Sequence, residues 1–268
     1  MADGVKMSGE VNGALWGDRA GDWAELQECQ CRPVYEAVFA RLALGAGAAY
    51  LDAGCGAGLA AQMAAARGAQ VHGCDASEAL MAIARERVPA GIFKRSDLEQ
   101  IPFADGSFDA VTGFNSFQYA ASPGNALAEA RRVAKAGGAV VIVTWGRPEG
   151  MPAATLVAAL RPLLPAPPPG APGPFALSEE AALRAFASSA GLVPEDVFDV
   201  ECPFCYADLE SGVRGLGSSG VATRARQNSG AEAVDEAHRQ ALAPFRQPDG
   251  SYRVPAAFRC LVARASRA

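Results

Sequence analysis

Leu51-Asp52-Ala53-Gly54-Cys55-Gly56-Ala57-Gly58 ends a short apolar stretch with one acid and three alternating glycines. It reads as a β-strand that delivers the backbone into a tight loop. Glycine lacks the Cβ that holds a ligand away from the chain, and it permits positive φ. A helix starting near Leu59 then offers unpaired N–H groups at its first turn. The dinucleotide fingerprint G-x-G-x-x-G needs glycine at position 59, where this chain has Leu59. A loop of this kind need not cradle a pyrophosphate.

Outward from this loop, residues 48–145 alternate short β-branched or apolar runs with alanine-rich helical stretches, the signature of βαβ units. Strands are expected at Ala49–Ala53, 70–74, 91–95, Phe108–Phe114 and 139–145, with helices at 59–67, 77–87 and 124–134. Ser77 is placed to cap the second of these helices. Residues 14–42 read as helical, with Trp16, Trp23, Leu26, Tyr35, Val38, Phe39 and Leu42 as apolar marks and Pro33 as the break. Beyond the core the pattern predicts a helix at 153–164 and a proline-rich loop at 165–174. A helix then runs from Ser178 to near Gly191, with a strand at 197–206, helices at 208–226 (with glycine breaks) and 230–245, and a final strand at 256–263. The chain divides into 1–47, 48–146, 147–177 and 178–268, the last carrying an insertion at about 206–254. Ligands of a doubly wound sheet bind outside the carboxyl ends of its strands. The segments 147–177 and 206–254 leave the sheet on that edge, where a substrate cap belongs.

The chain has 268 residues, half of them hydrophobic, enough for one α/β core with embellishments. Its net charge of −5 gives no electrostatic footprint for nucleic acid. Residues 1–6 show no secretory signal, and no apolar run approaches the roughly 20 residues that span a bilayer. A cytoplasmic protein without a membrane span is expected. Heavy use of alanine and arginine over lysine points to a GC-rich bacterial gene. The cysteine count of seven is odd and fits reduced thiols. Cys29-x-Cys31 and Cys202-Pro-Phe-Cys205 could together form a four-thiolate zinc site, but the second pair lies in a predicted strand, where i and i+3 face opposite sides. Small buried hydrophobes are the expectation for all four, with no metal.

A glycine loop alone says little, so its companions matter. Asp75 follows the second predicted strand, about twenty residues past the loop, where a carboxylate accepts from vicinal ribose hydroxyls. It would serve a nicotinamide dinucleotide and S-adenosylmethionine (SAM) equally. Further on come Ser96-Asp97-Leu98-Glu99-Gln100-Ile101-Pro102-Phe103, then Ser107-Phe108-Asp109, then Asn115-Ser116-Phe117-Gln118-Tyr119, and finally Arg132-Val133-Ala134-Lys135-Ala136-Gly137-Gly138. Gly137 is placed to end the preceding helix in the left-handed conformation.

With Asp52-Ala53-Gly54-Cys55-Gly56-Ala57-Gly58, this ordered set resembles the class I SAM-dependent methyltransferases over residues 48–146. The likeness is greatest to the group containing the ubiquinone and menaquinone C-methyltransferases and many small-molecule methyltransferases. The resemblance implies an α/β, doubly wound, Rossmann-like sheet of seven strands with the last antiparallel, under a helical cap. It implies SAM as cofactor and S-adenosylhomocysteine as product. Cofactor contacts carried over are Gly54, Cys55 and Gly56 in the loop, Asp75 and Ala76 at the ribose, Asp97 and Leu98 at adenine, and Asn115 by the methionine part. Trp16 and Tyr35, with Trp23 nearby, sit where such enzymes have a helix over the cofactor, and a sulfonium is favourable beside aromatic faces.

The reaction implied is in-line attack on the SAM methyl group by an O, N, S or C nucleophile, for which the protein supplies alignment and desolvation. Arg19, Gln118, Tyr119 and His238 are candidates to orient a small-molecule acceptor, although His238 is expected to face solvent. His72 lies inside a strand and is expected to be structural. No side chain is singled out as a catalytic base. The competing readings are a methyltransferase acting on RNA or protein, a non-catalytic SAM-binding or regulatory protein, and a nicotinamide dehydrogenase. Asn115-Ser116-Phe117-Gln118 in place of Asn-Pro-Pro-aromatic weighs against the first, and Leu59 with Asp97 against the last.

Overall fold

The computed structural model describes residues 8–167 and 172–266; the segment 1–6 read for a signal and residues 168–171 of the proline-rich loop lie outside them. The strands are β1 (Ala49–Ala53), β2 (Gln70–Asp75), β3 (Ile92–Arg95), β4 (Phe108–Phe114), β5 (Ala134–Trp145), β6 (Leu192–Glu201), β7 (Phe204–Tyr206), β8 (Tyr252–Val254) and β9 (Ala257–Ala265). Seven of them form one sheet in the order β3-β2-β1-β4-β5-β9-β6. All its pairings are parallel except those of β9, which runs antiparallel between β5 and β6.

Helices cover both faces, which is what continuous apolar runs such as Val140-Val141-Ile142-Val143 require. Alternate residues of that run enter different cores. Val141 and Val143 pack with Phe39, Met63 and Met81 on one face. Val140 and Ile142 pack with Leu127, Ala130 and Leu183 on the other. The helices are α1 (Ser8–Gly17), the single turn α2 (Ala20–Asp22), α3 (Arg32–Arg41), α4 (Leu59–Ala65), α5 (Glu78–Arg87), α6 (Pro123–Val133), α7 (Ala154–Ala159), α8 (Glu180–Ser189), α9 (Leu209–Leu216), α10 (Gly220–Ser229) and α11 (Ala231–Leu242). Ser77 caps α5 as expected, its Oγ accepting from the Leu80 N–H at 3.3 Å.

Several boundaries differ from the sequence expectation for physical reasons. The strand expected at 197–206 breaks at Cys202-Pro203, and its end becomes β7, which pairs antiparallel with β8 in a separate two-stranded ribbon. Proline lacks the N–H that a continuous ladder needs. Gly137 is left-handed, φ 77°, yet it ends no helix. Helix α6 has already stopped at Val133, with Ala134 extended. By contrast, the glycine breaks expected within 208–226 are found at Gly217-Ser218-Ser219, which divides the stretch into α9 and α10, and Ser219 caps the second piece through the Ala222 N–H at 3.2 Å.

β6 and β9 connect through residues 202–256 at the carboxyl edge of the parallel strands. Helices α9 and α10 of that insertion pack on the N-terminal segment, α10 against α1 and α9 against the turn at Trp23–Gln27. Two chain segments distant in sequence therefore meet at one edge of the sheet.

Candidate functional site

The glycine loop follows β1 and is stitched to the end of β2. The N–H groups of Gly54 and Cys55 both donate to the Cys74 carbonyl oxygen, at 2.8 and 3.0 Å. All three glycines have positive φ, but for different reasons. A Cβ on Gly54 would overlap the Ser116 side chain, and one on Gly58 would lie 2.7 Å from the Ala84 Cβ. These two permit close packing inside the protein. Only Gly56 looks outward, where a Cβ would stand 3.5 Å from both Glu28 Oε1 and Trp23 Nε1. Of the three, Gly56 alone leaves room for a Cβ, and Gly54 and Gly58 are required by packing inside the protein.

Acidic groups gather around Gly56. Its N–H donates to Asp75 Oδ2 at 2.9 Å, while Asp75 Oδ1 accepts from the Ser77 N–H at 2.8 Å. Glu28, 3 % exposed, accepts from the Leu59 N–H at 3.2 Å and pairs with Arg87. Asp52 is 2 % exposed and accepts from Thr112 Oγ1 at 3.4 Å. Burial, then the charges of Glu28 and Asp75, push Asp52 up to about 8. Burial raises Glu28 and Asp75 as well, although Arg87 and backbone N–H groups act in the opposite direction. Buried carboxylates that raise one another are relieved by an opposite charge. Trp23 Nε1 is buried without a partner beside the same loop.

The helix α1 lies over the Asp75–Asp97 side of this site. The Gly9 N–H donates to Asp97 Oδ2 at 2.7 Å, and Asp97 Oδ1 accepts from the Glu99 N–H at 3.0 Å. A side chain at Gly13 would overlap the Ala76 carbonyl oxygen, and a Cβ at Gly17 would come 2.7 Å from Ser77 Oγ. Leu98 packs partly buried against the apolar cluster containing Ile101 and Phe103. Asp75, Ala76, Asp97 and Leu98 therefore surround one region, and α1 touches Ala76 and Asp97 directly.

At the end of β4, Asn115 takes φ 53°, an uncommon conformation for a residue with a side chain. Its Oδ1 accepts from Gln118 Nε2, while Gln118 Oε1 is buried without a partner. Tyr119 is stacked edge-on against Trp16 at 5.3 Å, and Trp16 against Trp23 at 5.0 Å. Tyr35 is buried edge-on against Phe114 at 4.6 Å, with its hydroxyl raised by burial and then by the charge of Cys31. Arg19 pairs with Asp22, which also binds Arg214 from α9 at 2.6 Å. Cys55 is buried within the core under the loop.

Other expectations are corrected. His238, read as facing solvent, is 1 % exposed between the cap helices. His72, by contrast, keeps its expected place inside a strand, packed edge-on between Phe103 at 5.5 Å and Phe108 at 5.0 Å. Of the four cysteines read as buried hydrophobes, Cys202 is buried, Cys31 is half-buried, and Cys29 and Cys205 are exposed. Among the described residues, no group of three metal-ligating side chains converges.

Residues 51–142 match the family model described as methyltransferase domain. Over those residues, about a third of its length, this chain carries a methyltransferase domain. Over 94 residues it is 43 % identical to a malonyl-[acyl-carrier protein] O-methyltransferase of Erwinia pyrifoliae, covering 35 % of this chain and 36 % of that protein. Over 112 residues it is 36 % identical to a demethylmenaquinone methyltransferase of Beutenbergia cavernae, covering 41 % and 47 %. The matched part therefore spans between about a third and a half of these relatives. Among solved structures, the [4+2]-cyclase SpnF shares the fold with a TM-score of 0.58 and 22 % identity, over 88 % of this chain and 81 % of that one.

The residues of the methyltransferase core fit SAM. Its sulfonium and α-ammonium are cations, and Glu28, Asp52 and Asp75 form an acidic surround with Arg87 offsetting one charge. A pyrophosphate fits poorly, because the N-terminus of α4 that would hold it is already occupied by the Glu28 carboxylate. Sequence reading missed Glu28. It lies 31 residues upstream of Leu59 in an irregular helical stretch, and no local pattern links the two.

Proposed function

We propose that this protein is a SAM-dependent methyltransferase acting on a small-molecule acceptor. The observation that carries the reading is the gathering of buried Glu28 and Asp52 and half-buried Asp75 at the glycine loop, with the adjacent helix N-terminus filled by Glu28. That surround favours a cationic cofactor over an anionic dinucleotide. When bound, SAM supplies a methyl group on a positively charged sulfur that leaves as a neutral thioether. Asp75 would accept from the ribose hydroxyls, and Asp97 with the Leu98 N–H would take the adenine edge. Glu28 and Asp52 would hold the cationic end, and the partnerless Trp23 Nε1 and Gln118 Oε1 would orient groups at the methionine side. The N-terminal helices and residues 202–256 would exclude water from the transfer.

The small-molecule assignment draws support from the demethylmenaquinone methyltransferase relative and from the size of the insertion over the sheet edge. A neighbour with cyclase chemistry on the same fold is a reminder that the site, not the fold, decides the reaction. Calorimetry with S-adenosylhomocysteine and with NAD tests the cofactor, and Asp75→Ala should weaken the first at least tenfold. NAD binding in its place would overturn the reading. A screen for transfer of labelled methyl groups to metabolites tests turnover. Cofactor binding without transfer would favour a regulatory SAM-binding role.

A further inference from the structure

We propose that Thr223, Arg226 and His238 form the polar end of an acceptor site in the helical cap, which takes an organic acid through its oxygen atoms. The proposal rests on the methyltransferase reading and narrows its acceptor class. Among the described residues, six buried side-chain polar atoms lack a partner, and three of them belong to this helix pair: Thr223 Oγ1, Arg226 Nε and His238 Nδ1. Each such atom is destabilising when left unpaired. Packing alone does not call for them. The pair is already held together by Ala222, Ala225 and Val234, closed by Leu160.

Their placement points toward the cofactor side. Gly220, Thr223 and Arg226 succeed one another at intervals of three residues along α10, so they share a face. At Gly220 that face meets Trp16, whose Nε1 lies 2.6 Å from where a Cβ would stand. Trp16 in turn touches Tyr119 and Trp23, and Trp23 borders Gly56. The face is therefore turned to the aromatic wall that separates the cap from the glycine loop. Arg226 is fixed by Asp235 at 2.6 Å through Nη2, which leaves its Nε–H free. His238 comes from the neighbouring helix, and burial followed by the charge of Arg226 lowers it to about 4, so its ring is neutral.

The donor set selects the ligand. A guanidinium N–H, a hydroxyl and a neutral imidazole suit carboxylate, phenolate or enolate oxygens. A second guanidinium stands close by, since a Cβ on Gly217 would lie 2.6 Å from Arg226 Nη2 and 3.2 Å from Arg19 Nη1. An ammonium group would be repelled there. Methylated amines are thus the disfavoured acceptors.

The test uses the ring resonances of His238, with His72 as the internal control, because the chain has two histidines. The 268-residue chain is titrated with benzoate, benzyl alcohol and benzylamine, with and without S-adenosylhomocysteine. Benzoate should shift the His238 signals saturably and leave those of His72 in place, and benzylamine should do neither. Arg226→Met and Thr223→Val should each weaken benzoate at least fivefold, while S-adenosylhomocysteine affinity changes less than twofold. If Arg226→Met does not fold, Thr223→Val carries the test. Benzoate that leaves His238 unmoved, or that binds the Thr223 variant as tightly as the native protein, overturns the proposal. Binding of benzoate without any binding of S-adenosylhomocysteine would support the cap site while overturning the cofactor reading.

Discussion

The Gly9 N–H donates to Asp97 Oδ2 at 2.7 Å, so the first turn of α1 holds the same carboxylate oxygen that an adenine amine would need. Closure of the N-terminal helix and entry of the nucleoside compete for one acceptor. If Asp97 takes the adenine edge as proposed, α1 leaves Asp97 and Ala76 before the cofactor enters. The observed association rate of S-adenosylhomocysteine, followed by tryptophan fluorescence, should level off at high ligand concentration at the opening rate of the helix. Gly13→Leu places a side chain into the Ala76 carbonyl oxygen and should displace α1. Its association should become linear in ligand and at least fivefold faster. A linear dependence in the unaltered protein would sink the gating idea.

Glu28 gives a way to separate charge from shape. Glu28→Gln keeps the size of the side chain and an oxygen for the Leu59 N–H, but removes one negative charge from beside Gly56. SAM carries a sulfonium and S-adenosylhomocysteine does not. Calorimetry should show SAM losing about tenfold more affinity than its product, a difference of roughly 1.4 kcal/mol. Equal losses for both ligands would mean that Glu28 serves as a clamp for Arg87 alone.

These two residues also mark the limit of what the chain discloses before it folds. Strands β1 to β5 and their helices were legible because each is a short local pattern: an apolar run, a capping serine, a glycine turn. The positions of Asp75 and Asp97 at the carboxyl edge of the sheet were legible because both follow predicted strands. Glu28 was not, since it reaches Leu59 only through the path of an irregular turn. The split of the predicted strand at Cys202-Pro203 is local, yet the pairing of β7 with β8 joins residues about fifty positions apart. His238 was misread because a histidine on an amphipathic helix carries no mark of which neighbour will cover it.

Asp52 makes the cofactor-free protein sensitive to base. Its folded-state carboxyl sits at about 8 against an ordinary value of 3.8, so the unfolded chain ionises first. The associated stability is fully present below pH 4 and is lost as pH rises toward 8. The melting temperature should fall between pH 5 and pH 8.5, and Asp52→Asn should flatten that limb. Saturating SAM should also flatten it, because a bound cation favours the ionised carboxylate. A native profile indistinguishable from that of Asp52→Asn would remove the carboxylate from the acidic surround.

His238 acts in the opposite direction. Burial and Arg226 hold its folded-state value at about 4, below the ordinary 6.5. An unfolded histidine takes up a proton that the folded one refuses. The stability it contributes is therefore present above pH 6.5 and is lost as pH falls to 4, by roughly 3 kcal/mol in all. His238→Gln cannot take up that proton, so its melting temperature should decline less than that of the native protein across this window. Benzoate filling the cap should flatten the native acid limb, because a bound carboxylate favours the imidazolium. An acid limb unchanged by His238→Gln would show that the ring is protonated in the folded protein and that the cap is more open to water than its burial indicates.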